Sequence, residues 1–186
     1  MLSETSNHAD NFELTKQYQS HIYHTLNYFD GRINKSDIIL DLGNENPLTR
    51  KIRHRFGCFI INTDGDLDEK FYIPEFVKSF DKIIYSHTIE HQFNPLNTLE
   101  RIKPFMNQES KLYILLPDRG KLLWCKGHFH EIDEYRMGLL AKRAGLEIVS
   151  KTRQKIWREW WFYFTGIKPL MRLFFEYHAI YELKLK

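Results

Sequence analysis

Ile38-Ile39-Leu40-Asp41-Leu42-Gly43-Asn44-Glu45 is the stretch on which the fold turns. Consecutive branched and apolar residues without polar alternation describe a strand buried on both faces, and the aspartate and glycine that end it describe a loop. Pro47 then suits a first helical turn, so residues 47–56 read as a short helix. The same motif recurs along the chain. Phe59-Ile60-Ile61 runs into Asn62-Thr63-Asp64, Ile83-Ile84-Tyr85 into Ser86-His87, and residues 112–116 into Pro117-Asp118-Arg119. Between the last two, Leu96, Leu99 and Ile102 share one face of a helix that begins after Asn94-Pro95. Residues 132–144 form another helix, closed by Gly145, and 146–149 another strand. Near-continuous apolar strands alternating with helices build a parallel sheet covered on both faces.

Both ends of the chain extend this pattern. From residue 11 to 31, Phe12, Tyr18, Ile22, Leu26 and Phe29 recur at helical spacing, and Gly31 suits a stop. At the other end Ala179, Tyr181, Leu183 and Leu185 alternate with His178, Glu182 and Lys184, which predicts a half-exposed, antiparallel edge strand. The expected architecture is a single three-layer α/β domain over residues 1–186, mostly parallel with an antiparallel C-terminal strand. An aromatic insertion at about 154–177 precedes that last strand.

Composition narrows the function classes. A hydrophobic fraction of 42% over 186 residues excludes disorder and supplies a core for one domain. No apolar run is long enough for a membrane helix, and the first ten residues lack a basic-then-apolar leader. Two cysteines make neither a disulfide framework nor a paired-cysteine zinc site, so a cytoplasmic location is expected. Residues 1–150 carry 19 basic against 21 acidic side chains, while 151–186 carry 8 against 3 together with 10 of the 28 aromatics. Basic character is thus local, and nucleic acid is not an expected partner.

Ligands of open parallel sheets lie beyond the carboxyl ends of the strands. That rule selects Asp41, Gly43, Asn44 and Glu45 after the first strand, Asp64 and Asp66 after the second, and Ser86 and His87 after the third. The crowded carboxylates suit ribose hydroxyls or amines rather than phosphates. As a general base His87 comes first, since it directly follows a strand. Glu90-His91 reads as a packing or capping pair. His128-Phe129-His130-Glu131 places two imidazoles two residues apart, which reads as a pocket wall with His128 and His130 as further candidate bases; no metal ligands are assigned. Trp157-Arg158-Glu159-Trp160-Trp161-Phe162-Tyr163-Phe164 has two readings. It is either a core helix with Trp157, Trp160, Trp161 and Phe164 inward, or a functional surface: a lid for an apolar or lipid-linked acceptor, or a contact to a membrane surface with Lys151, Arg153, Lys155 and Arg158 as a cationic fringe.

The order of Asp41-Leu42-Gly43, the acidic second strand end, Phe80-Asp81-Lys82-Ile83-Ile84 and Ile89-Glu90-His91 resembles that of class I S-adenosylmethionine-dependent methyltransferases. Leu99-Glu100-Arg101-Ile102-Lys103-Pro104 and Ala144-Gly145-Leu146-Glu147-Ile148 extend the likeness over roughly residues 35–150. The resemblance implies a Rossmann-like sheet ending in a reversed hairpin and S-adenosylmethionine as cofactor. It places Asp41 and Gly43 under the methionine portion, Asp64 or Asp66 on the ribose, and Ser86 and His87 beside the sulfonium. Asn44 and Glu45 belong to the same loop, with Glu45 able to meet the donor's ammonium. The family's loop usually reads acidic-x-Gly-x-Gly-x-Gly, whereas here Glu45 and Pro47 take the second and third glycine positions. Only 16 residues separate Asp64 from Phe80, where the family fits a helix and a strand. Either one strand is lost or residues 59–61 serve two roles. The expected function is methylation of a small-molecule or lipid-linked acceptor. The rival is a non-catalytic interaction module that has lost donor binding, and an edge strand and an aromatic insertion both offer homodimer surfaces.

Overall fold

The computed structural model describes residues 15–74, 76–119, 123, 125 and 127–186; the start of the expected 11–31 helix lies outside them. In order along the chain come α1 (Lys16–Phe29), β1 (Ile38–Asp41), α2 (Pro47–Phe56), β2 (Phe59–Asn62), β3 (Asp64–Gly65) and β4 (Phe71–Tyr72). They are followed by β5 (Lys82–Ser86), α3 (Pro95–Ile102), β6 (Lys111–Arg119), α4 (Glu134–Ala144), β7 (Leu146–Lys155), α5 (Ile167–Phe175) and β8 (Glu176–Leu185). Six strands form one sheet in the order β2-β1-β5-β6-β8-β7. β2, β1, β5 and β6 are parallel, and β8 runs antiparallel to both its neighbours.

Alternate residues of these strands feed two apolar layers. Ile39, Ile60, Ile84, Tyr113 and Ile180 pack with Ile22, Leu26 and Phe29 of α1 and Leu48 and Ile52 of α2. On the opposite face Leu40, Ile83, Tyr85, Ile114 and Tyr181 pack with Leu99 and Ile102 of α3 and Met137 and Ala141 of α4. Apolar strands without alternation are what a sheet sandwiched in this way requires. The helices start where the sequence places caps. Asn46 accepts from the Leu48 and Thr49 amides at 2.9 and 3.1 Å, a cap worth about 1 kcal/mol. Asp133 caps α4, and Gly145 ends it at φ 70°.

Two expectations need correction. β8 is interior rather than an edge, because β7 covers its far side. Its alternation misleads because His178 and Glu182, the polar half of the pattern, are held by protein rather than water: Tyr28 donates to Glu182 at 3.5 Å, and His178 is 1% exposed. Pro117 does not close β6, which continues to Arg119. β5 reaches only as far as the Ser86–Leu115 pair, so Pro117 lies where β6 is flanked by β8 alone. Asp64-Gly65 forms a short antiparallel ladder with Phe71-Tyr72, and Gly65 at φ 99° approaches the Lys70 carbonyl too closely for any β-carbon. No seventh strand joins the sheet among the described residues: the segment between β2 and β5 contributes only that small hairpin.

Candidate functional site

The loop after β1 is built from beneath. Asp41, 4% exposed, accepts from the Thr49 hydroxyl and from Asn62 Nδ2 at 3.3 Å. Thr49 in turn accepts from the Asn46 amide at 3.4 Å. Burial pushes the Asp41 carboxyl up to about 7, against the pull of those two hydrogen bonds and of Arg53. Its carboxylate thus faces the protein and shapes the loop. Gly43, at φ 114°, donates its amide to Thr63 Oγ1 at 2.8 Å and gives its carbonyl to Asn62 at 3.0 Å. A β-carbon there would meet nothing within 4 Å, so the loop offers bare backbone to open space. This geometry fits a ligand lying against the backbone. The Asn44 carbonyl accepts from the Asn46 side chain. Glu45 turns away to Arg53 of α2 at 3.3 Å, on the surface.

Asp64 and Asp66 are both exposed, at the β2 end of the rim. Asp64 lies in β3, and Asp66 accepts from the Asp68 amide at 2.8 Å. The strand end itself is held by Asn62, which sequence reasoning passed over because an amide gives no charge signal. Ser86 ends β5, with its carbonyl accepting from Thr88 Oγ1 at 3.0 Å.

His87 follows Ser86 with φ 51°, and no other described non-glycine residue has positive φ. Its amide donates to Leu115 at 2.8 Å, which fixes the ring beyond the strand end. There its Nε2 meets His178 Nδ1 of β8 at 3.2 Å, and its Nδ1 lies 3.4 Å from the Glu90 carboxylate. His21 of α1 closes the group, with ring centroids 4.5 Å from His87 and 4.4 Å from His178. Burial drives the imidazoles of His21 and His178 well below their ordinary pKa, and repulsion from neighbouring histidines adds to it. Both are therefore neutral at neutral pH. Burial alone would raise Glu90, but the hydrogen bond and charge of His87 hold it below the usual carboxylate range.

The three histidines face a cavity of about 300 Å³. Tyr18, Pro117, Arg119, Ile156, Glu176 and Tyr177 are also in its wall. The Tyr18 hydroxyl lies against the backbone of Leu48 in α2, the helix that follows the Gly43 loop. At its base Glu176, 1% exposed, accepts from Arg158 at 2.7 and 2.9 Å and from Arg172 at 2.5 Å, with Arg119 at 3.3 Å.

His128 and His130 do not join His87. They line a second cavity with Pro95, Cys125, Glu131 and Arg136. His128 pairs with Glu131 at 3.0 Å, and His130 meets the Phe93 carbonyl at 3.3 Å. Glu90 connects the two places: its carbonyl accepts the Phe129 and His130 amides at 2.9 and 3.2 Å. His21 and His178 were missed from sequence, one sitting within a helical stripe and the other assigned to a solvent face.

The aromatic insertion is not core. Trp157, Trp160, Trp161 and Phe164 are 49%, 71%, 56% and 79% exposed, and only Tyr163 of that run is buried, its hydroxyl accepting from the Arg158 amide at 2.9 Å. α5 continues this surface with Ile167, Leu170, Phe174 and Phe175 exposed and no residue buried.

No protein-family model and no curated protein matches this sequence. Solved structures do resemble it. An S-adenosylmethionine-dependent methyltransferase from Archaeoglobus fulgidus superposes with a TM-score of 0.57 at 14% identity, covering 87% of this chain and 93% of that one. The 1,6-didemethyltoxoflavin N1-methyltransferase of Burkholderia thailandensis, solved with 1,6-didemethyltoxoflavin and S-adenosylhomocysteine, gives 0.56 at 14% identity over 94% and 80% of the two chains. The [4+2]-cyclase SpnF gives 0.59 at 12% identity over 90% and 82%. Strand order, reversed C-terminal hairpin and these superpositions agree: the chain has the fold of the class I S-adenosylmethionine-dependent methyltransferases.

Proposed function

We propose that this chain is an S-adenosylmethionine-dependent methyltransferase acting on a small acceptor held in the cavity between α1 and the ends of β5, β6 and β8. The observation that carries this reading is the juxtaposition of two features. Bare backbone at Gly43 faces open space, and a cavity lined by His87 and Tyr18 lies at the same end of the sheet. A methyl group leaving a sulfonium needs alignment more than charge chemistry, and an open backbone loop and a cavity at the same end of the sheet would supply alignment. An oxygen or nitrogen acceptor also loses a proton, and the His87 cluster stands where it would be released. In this reading Asp64, with Asp66 as its rival, takes the ribose, while Gly43, Asn44 and Ser86 line the methionine side. Asp41 acts through the loop it supports, and Glu45 is left to Arg53. His128 and His130 serve the second cavity rather than the transfer axis.

The exposed aromatic surface favours an acceptor with an apolar or lipid-linked portion. Ile156, next to Trp157, lines the acceptor cavity, so the aromatic segment starts at its mouth. Calorimetric titration with S-adenosylhomocysteine, with NAD as control, tests the donor site. Micromolar binding of the former alone is expected, weakened about tenfold in Asp64→Ala, the effect of losing one charged hydrogen-bond partner. A folded protein that binds neither refutes the enzyme reading and favours the non-catalytic module.

A further inference from the structure

Three imidazoles from elements far apart in sequence converge at one place in the fold: His21 from α1, His87 after β5 and His178 from β8. We propose that they form a three-histidine site for a divalent transition metal, zinc above all, whose open fourth position faces the 300 Å³ cavity and takes an oxygen or nitrogen donor of the bound molecule.

The geometry supports this in four ways. One ring nitrogen from each histidine lies within 4.8 Å of the others. His87 Nε2 and His178 Nδ1 are 3.2 Å apart, matching the roughly 3.3 Å spacing of two nitrogens on a tetrahedral zinc with bonds of ~2.0–2.1 Å. Second, the group contains a buried nitrogen with nothing to bond. His21 Nδ1 has no hydrogen-bond partner, although the residue is only 5% exposed. Leaving such a group unpaired costs about 1–3 kcal/mol, which argues for a ligand at the cluster.

Third, Glu90 stands behind His87. Its carboxylate, almost fully buried, takes the Nδ1 side of the ring at 3.4 Å and leaves Nε2 directed at the cluster. A carboxylate behind a ligating imidazole fixes its tautomer and orientation, as in established zinc sites. Fourth, His87 holds φ 51°, strain that a non-glycine residue keeps only where surrounding structure demands it. Three nitrogens with no carboxylate in the set select a borderline metal over magnesium or calcium. Metal binding itself is independent of the methyltransferase reading; the use of the fourth position to seat the methyl acceptor rests on it, and a zinc-bound His87 would hold that acceptor's donor atom through the metal instead of taking its proton.

The test is titration of chelator-treated full-length protein with zinc against a competing chromophoric chelator, repeated with cobalt to read coordination from its visible spectrum. One equivalent of zinc, tetrahedral cobalt bands and a change in those bands on adding a hydroxamate are the expected results. His87→Ala, whose ring is the most exposed of the three, should keep the fold and weaken zinc by at least ~100-fold. Glu90→Gln should weaken it ~10–100-fold, as loss of an orienting partner does. Absence of stoichiometric binding overturns the proposal. So does binding abolished by His128→Ala and untouched by His87→Ala, which would assign the ion to Glu90, His91 and His128 instead. Parallel titration of the same samples with S-adenosylhomocysteine reads the donor site separately, so either result can fail without the other.

Discussion

Asp41→Asn makes the protein more stable at alkaline pH than at acid pH relative to wild type. The carboxyl is raised from its ordinary 3.8 to about 7 by burial, so folding prefers its protonated form. Stability from this group is therefore complete below pH ~4 and is lost as pH rises through ~7. At ~1.36 kcal/mol per pH unit, linkage gives a full loss of about 4 kcal/mol above pH 8, of which 2–3 kcal/mol falls between pH 5 and 8. Asparagine keeps an oxygen to accept from Thr49 and Asn62 but has no charge to bury. Urea denaturation of both proteins at pH 5 and pH 8 reads the effect. Comparison between the two proteins at each pH cancels the titration of all other groups. The gap should shift by 2–3 kcal/mol in favour of the variant at pH 8. A gap that is independent of pH, or one that moves the other way, would show that Asp41 is ionised in the fold and would refute the reasoning.

Glu176→Gln should cost about 3–5 kcal/mol at pH 7, because three guanidiniums then share a buried site with no anion. Burial alone would raise the Glu176 pKa, but the hydrogen bonds and charges of Arg158, Arg172 and Arg119 lower it below its ordinary 4.5. Its stability is thus present above that value and lost as pH falls through the depressed one, so urea midpoints of variant and wild type should converge below pH 4. Trp160→Ser with Phe164→Ser should abolish sedimentation with phosphatidylserine-containing vesicles while changing folding stability by less than about 0.5 kcal/mol, as expected for exposed side chains. Equal sedimentation of the double variant removes the membrane reading of this surface.

The parallel half of the sheet was legible in the sequence because its strands carry their burial in their composition. Ile39, Ile60 and Ile83 are apolar on both sides, and nothing but a doubly covered strand suits such runs. The antiparallel half was harder. Ser150, Lys151, Thr152 and Arg153 extend β7 well beyond its apolar start, and what makes them a strand is a long ladder with β8, not local preference. That Asp41, Gly43 and His87 sit at or just beyond strand ends was legible from the run of apolar strands, the place where ligands of such sheets bind. Their partners were not. His21 and His178 lie 66 and 91 residues from His87, and the hydrogen bond that turns Glu45 toward Arg53 depends on the helix it begins.

Placement of β7 at the sheet margin also governs self-association. An open strand edge is a template on which another chain can continue the ladder. β7 spoils that template with a register shift between Ile148 and Ser150 and with Lys151, Arg153 and Lys155 along its length. Copies of the chain approaching edge to edge there would bring like charges together along a bent strand. β8, which the sequence offered as a dimer edge, is sealed on both sides. Aggregation through sheet extension is thereby suppressed on this flank, and self-association at high concentration is expected to run instead through the exposed apolar side chains of Trp160, Phe164 and α5.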